Sequence, residues 1–273
     1  MGIASRDRSV LSPAAFLIRG LAVGLVAGVV AFLVAFAFGE PYVDDAIALE
    51  EAAAAQMTPE EVAAEQAAAA AEDPSGMVEI SRENQRSWGL LTGTLAIGTA
   101  LGGLASLAAA AVLGRLGNLS ARGSTALVAL VGSVSVTLVP FAKYPATPPA
   151  VGSGETIGGR TASYFALLLV SVLAAVAAVV VANRLRGRMD GWTAAFVAAG
   201  GYLAVVSVTA ALLPSVNEVG SFPADTLWYF RRSSLLTLAA LWVTLGVGLT
   251  LLVGRLHDRA AAELARRELA ASL

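Results

Sequence analysis

GLAVGLVAGVVAFLVAFAF, residues 20–38, is a run of nineteen residues with no charged or polar side chain. A helix rises about 1.5 Å per residue and the hydrocarbon core of a bilayer is about 30 Å thick, so a run near 20 residues spans it. Five further runs meet the same test, and together they give segments at 17–38, 88–113, 124–141, 161–182, 192–213 and 235–254. Helices rather than strands are expected, because the Ala, Leu, Val and Gly runs lack the in-out alternation of a barrel strand and lipid leaves no backbone group unpaired without a penalty. The chain of 273 residues is 57% hydrophobic and 14% charged, against roughly 25% charged in an average soluble domain. The expected fold class is therefore all-α: a polytopic membrane helix bundle of about six transmembrane helices, in one integral membrane domain over 1–273. The first run is read as an uncleaved helix, since no convincing small-residue cleavage site follows it.

Charge sets the expected orientation. Placing the N-terminus in the cytoplasm puts twelve of the 18 basic residues inside (Arg6, Arg8, Arg19, Arg115, Arg122, Arg184, Arg186, Arg188, Arg255, Arg259, Arg266 and Arg267). Six lie outside: Arg82, Arg86, Lys143, Arg160, Arg231 and Arg232. Positive side chains are retained on the cytoplasmic side, so both termini are expected there, with 255–273 as a cytoplasmic tail. Fifteen of the 20 acidic residues fall outside, many in an Ala/Glu-rich extracytoplasmic loop over 39–87, and the outer face should attract cations. No basic cluster lies away from the helix flanks, so the sequence points to no nucleic-acid partner. Membrane lipid is the expected surrounding.

Gly20, Gly24 and Gly28 recur at four-residue spacing, as do Gly89 and Gly93, then Gly98 and Gly102. Small faces of this kind let helix backbones approach closely. The informative loops are the third, KYPATPPAVGSGETIGGR from Lys143 to Arg160, and the fifth, LPSVNEVGSFPADTLWYFRRSSL from Leu213 to Leu235. Pro145, Pro148, Pro149, Pro214 and Pro223 stiffen them by fixing φ and restraining the preceding residue. Glu155 and Asp225 stand near the starts of the helices that follow, where a carboxylate complements the helix dipole. Asn217 and Glu218 offer two hard oxygen ligands just beyond a span. Tyr144 and Trp228 read either as interfacial anchors or as ligand contacts.

The phrases FAKYPATPPAVG with ETIG, and LPSVNEV with FPADTLWYFRRSSL, resemble the signature loops of the CbtA family, proposed large subunits of a cobalt transporter. GEPYVDDAI and SRENQRSWGLL extend the resemblance over most of the chain. It implies cobalt as transported substrate, supply to cobalamin synthesis, a prokaryotic plasma membrane location, and a small single-span CbtB-like partner with a histidine-rich end. It falls on Lys143, Tyr144, Pro145, Pro148, Pro149, Glu155, Arg160, Asn217, Glu218, Pro223, Asp225, Trp228 and Arg231, with Glu40, Arg82 and Arg86 weaker. The chain departs from the family pattern at Ala146, Thr147, Ser153 and Gly154, which removes a carboxylate from the third loop.

The expected metal site is an entrance site of Glu155, Asn217, Glu218 and Asp225, paired with Arg160, Arg231 and Arg232 while metal is absent. Cobalt(II) favours imidazole and mixed nitrogen and oxygen donors, whereas carboxylates alone discriminate poorly. The sole histidine, His257, lies in the tail, and the chain has no cysteine, so selectivity is expected to come from the partner. No ionisable residue lies deep in a span, leaving hydroxyls such as Thr92, Thr94, Thr137, Ser171, Ser207 and Thr209 as polar groups for a path. No permanently bound cofactor is expected. An enzyme is disfavoured, since one misplaced histidine supports neither a triad nor a paired zinc site. The alternative function is a non-transporting membrane scaffold or accessory subunit.

Overall fold

The computed structural model describes residues 11–60, 62–63, 67 and 80–272, apart from the Glu155 side chain, and among them contains helices and no strand. Six helices are long and apolar enough to cross a membrane: Pro13–Phe38 (α1), Arg82–Val112 (α3), Ala121–Lys143 (α4), Ile157–Leu185 (α5), Gly191–Leu212 (α6) and Ala224–Ala271 (α7). A shorter helix, α2, covers Glu40–Ala54 directly after α1. It is the first part of the acidic loop; most of the stretch from 61 to 79 lies outside the described residues, as do residues 1–10.

Local chemistry starts these helices where the sequence provides caps. Ser12 accepts from the Ala15 amide with Pro13 at the first helical position, Ser120 accepts from Gly123, and Asp190 accepts from Trp192 and Thr193. Two elements exceed the expected spans. The helix expected from 88 begins at Arg82 and passes Gly89 through a π turn over Gln85–Gly89. The helix expected over 235–254 runs unbroken for 48 residues, from Ala224 to Ala271, so span and tail are one rod. Beyond Gly254 the tail is mostly Ala, Glu, Arg and Leu, all strong helix formers, with neither Pro nor Gly to break it before Ala271.

Packing follows the small residues. α1 and α3 touch backbone to backbone: a Cβ at Gly28 would stand 2.7 Å from the Thr94 carbonyl oxygen, at Gly24 2.7 Å from Thr99 Cα, and at Gly98 2.9 Å from Gly28 Cα. Gly20 and Gly102 face each other in the same way. Gly93 does not belong to this seam, having nothing within 4 Å of its would-be Cβ, and Gly89 meets only its own helix, so the first of the two expected α3 pairs is not a packing face. α7 lies along the other side of α1, closing a core of Val23, Ala27, Ala31, Ala105, Leu241, Trp242, Leu245 and Leu249. α4 packs on the far side of α7, while α5 and α6 form a hairpin that reaches the rest chiefly through α4. Large side chains such as Phe196, Leu203 and Leu212 on α6 point outward, as lipid requires.

α4 carries its own irregularity. Pro140 has no amide to give the carbonyl four residues back, and the preceding Ser133–Leu138 widen into a π turn. There the Trp242 indole N–H donates to the buried Thr137 Oγ1 at 2.7 Å, tying α7 to α4.

Candidate functional site

The third and fifth loops lie at the same end of the bundle and are bonded to each other. Lys143 Nζ donates to Ser215 Oγ at 3.1 Å, and the Tyr144 hydroxyl to the Pro214 carbonyl at 2.9 Å. Arg231, on the second turn of α7, reaches back with Nε to the Ala146 carbonyl at 3.3 Å. The Pro148–Pro149 pair then turns the chain through Ala150, which stands at φ 65, a left-handed conformation seldom held by a residue with a Cβ. Gly152 at φ 110 lets the Arg160 guanidinium lie directly against its backbone, where a Cβ would come 2.9 Å from Arg160 Cζ.

Glu218 is the hub. One carboxylate oxygen, Oε2, accepts from the Ser153 amide and from Thr156 Oγ1, each at 3.0 Å, and lies 3.6 Å from Arg160 Nη1. These contacts, led by the Ser153 amide, then Thr156 and Arg160, hold its carboxyl below the ordinary 4.5. Arg160 also donates from Nη2 to the Ser153 carbonyl at 3.0 Å, while its Nε is buried without a hydrogen-bond partner. A charged carboxylate thus closes the fifth loop onto the 3-10 turn Gly154–Thr156 that carries Glu155.

The other expected ligands are placed differently. Asp225 Oδ1 accepts from the Thr226 amide at 2.9 Å in the first turn of α7. Asn217 is exposed, and the Glu155 side chain lies outside the described residues. Among the described residues no three His, Cys, Asp or Glu side chains are close enough to hold one metal ion. Of the three expected arginine pairings with these carboxylates, Arg160 with Glu218 is present. Arg231 instead takes a carbonyl, and Arg232 lies 4.8 Å above the Tyr229 ring, because both sit on α7 facing backbone and aromatic surface rather than acid. Trp228 is 65% exposed at the helix end, the pose of an interfacial anchor, whereas Tyr144 is spent on the loop contact. Pro145 and Pro223 lie at the loop margins; Pro223 directly precedes α7.

A second charged cluster sits at the same end. Glu40 at the start of α2, only 7% exposed, pairs with Arg82 Nη2, which also lies 2.9 Å from Asp44 Oδ1. Arg86 stands 3.6 Å from Asp44 Oδ2 and 5.3 Å from the Phe36 ring centre. Tyr42 stacks on Tyr229 with ring centres 5.6 Å apart, joining α2 to α7. The two ends of the acidic loop are thereby clasped. Sequence reading found Glu40, Arg82 and Arg86 but missed Asp44, although it stands four residues after Glu40 on one helix face.

Inside the spans most of the expected hydroxyls have partners within the protein. Thr92, Thr94 and Thr209 donate to carbonyls of their own helices. Ser171 and Tyr202 bond each other at 2.8 Å, Thr137 is taken by Trp242, and Ser207 lies on the exposed side of α6.

Set beside known proteins, residues 14–254 match the model of a family described as "Probable cobalt transporter subunit (CbtA)". No curated relative and no solved structure matches the chain.

Proposed function

The chain belongs to the CbtA family of probable cobalt transporter subunits, and from that premise we propose that it is the membrane subunit of a divalent metal uptake system that brings cobalt across a prokaryotic plasma membrane for cobalamin synthesis. Its loop end faces outward and both termini lie in the cytoplasm, in keeping with the twelve-to-six split of basic residues. The acidic loop draws cations toward that face by long-range attraction. Glu218, with Asn217, Asp225 and Glu155, then receives the ion at the mouth formed by the third and fifth loops, and Arg160 withdraws from Glu218 as the metal takes its place.

The observation that carries this reading is Glu218, whose Oε2 is held by three groups of the other loop. A charged oxygen already fixed in place loses little entropy on meeting a cation. Selectivity rests with a small single-span, histidine-rich partner of the CbtB kind, because oxygen ligands alone distinguish cobalt poorly from magnesium, calcium and manganese. Catalysis has no part in the reading.

The test is cobalt accumulation in cells expressing the chain with and without such a partner, with nickel, manganese and magnesium as competitors. Uptake should need both chains and be blocked chiefly by nickel. One observation favours the accessory-scaffold reading: Thr92 and Thr209 are closed on carbonyls of their own helices and Ser171 on Tyr202. Absence of accumulation in both conditions, with membrane insertion confirmed, would select it.

A further inference from the structure

At the end of the bundle opposite the paired loops, α4 and the α5–α6 hairpin enclose a groove of about 330 Å³. Its walls are apolar, with Leu127, Val131, Ala175, Val179 and Ala198 among them. Polar groups gather at one end, where Asn183 and Arg186 form the mouth; deeper in, the Tyr202 hydroxyl is already bonded to Ser171.

Arg186 is fixed there. Its Nη1 donates to the Leu116 carbonyl at 2.9 Å, over Gly117, whose φ of 62 keeps the short α3–α4 turn flat beneath the guanidinium. The remaining N–H groups of Arg186 have no protein partner among the described residues. Arg184 and Arg188 are exposed at the same helix end, and no described carboxylate pairs with any of the three. Three acids at this end are committed elsewhere: Asp190 caps Trp192 and Thr193, Asp258 pairs with Arg122, and Glu263 pairs with Arg267. Trp192, 78% exposed, and Phe196 stack 6.4 Å apart on the first two turns of α6, as aromatic residues do at headgroup depth. The three arginines therefore stand where a bilayer places its phosphates.

The occupant of such a site has a compact anionic head for the arginines and a long apolar tail for the groove. A metal cation is repelled by the rim, and a free anion leaves the apolar walls uncovered. We propose that the groove between α4, α5 and α6 binds one anionic phospholipid, its acyl chain lying along Val131, Val179 and Ala198 and its phosphate held by Arg186, while Arg184 and Arg188 add positive potential at the same end of the helix. Basic pockets between transmembrane helices take anionic headgroups in this way. The lipid fills the seam through which the hairpin meets α4 and fastens it to the bundle.

The test is native mass spectrometry of the purified, delipidated chain with phosphatidylglycerol or phosphatidylcholine of matched acyl chains, with unfolding temperature followed in parallel. Phosphatidylglycerol should be retained preferentially and raise the unfolding temperature. The double variant Arg184→Gln/Arg188→Gln leaves the Arg186–Leu116 bond in place and should weaken binding about fivefold per charge removed. Ala178→Phe, which fills the apolar part, should abolish the difference between the two lipids while helical content stays unchanged. Equal retention of both lipids, phosphatidylglycerol binding that survives both variants, or the same thermal shift from inorganic phosphate would each overturn the proposal.

Discussion

Glu218 illustrates how one side chain joins two segments, reaching partners 62 and 65 residues away in the chain. Its carboxyl is held below 4.5 by donors that exist only when the loops are docked. A depressed carboxylate contributes stability that is fully present above its unfolded value and fades as pH falls through the lowered folded value. Loop docking should therefore be constant from neutral pH down to about 5 and weaken below about 4.5; unfolding temperature against pH reads this, and the acid-side slope should shrink in Glu218→Gln. The same variant keeps shape and loses charge, so cobalt uptake should fall severely at unchanged expression. Unchanged uptake would refute the entrance site. Ala150 offers a stability test, since an L residue in the left-handed region is disfavoured by about 1–2 kcal/mol while glycine there adds roughly 0.4–1 kcal/mol of unfolded-state entropy. Ala150→Gly should be neutral to stabilising by up to about 1.6 kcal/mol, measured by reversible unfolding in detergent.

At the scale of elements, the α1–α3 seam rests on glycines because the carbonyl oxygens of one helix occupy the space a Cβ would need on the other. Gly24→Ala should be destabilising by about 1–3 kcal/mol through overpacking. Gly93→Ala, at a position with nothing nearby, should be neutral or slightly stabilising through helix propensity. Equal effects of the two would contradict the seam. Trp242→Phe removes the one donor that reaches Thr137 across α4 and α7. Interhelical hydrogen bonds within membranes average about 0.6 kcal/mol and reach about 1.7, so a loss in that range is expected. The repeat of glycines was readable in the sequence, but the sequence could not say which of the two α3 pairs met α1. The π turn before Pro140 was likewise unreadable, since proline announces a disturbed ladder without saying whether the helix kinks, widens or ends.

In the whole molecule, α1, α3 and α7 share the buried core, while α5 and α6 form a looser hairpin. The spanning windows of α5 and α6 are only 17% and 11% buried, against 28% for α1 and α7 and 33% for α3. Few buried contacts imply lower local stability. Amide exchange should therefore open α5 and α6 before α1 and α3, and uniform protection across the spans would show that the hairpin is part of the core. The third and fifth loops border this hairpin, so the contacts through Glu218, Tyr144 and Lys143 latch it to the bundle at one end.

Hydrophobic run length and loop composition by themselves determined the six helices, because a spanning segment must satisfy its own backbone and meet lipid along its whole length. The signature loops likewise carried the family. The tertiary structure decided what depends on partners distant in sequence: that Glu218 meets Ser153, that Asp44 joins Glu40 and Arg82, and that Arg231 turns to a carbonyl rather than an acid. A side chain at a loop is free to choose among many donors of similar strength, and only the relative placement of the helices, set by close packing of small residues, limits that choice to one.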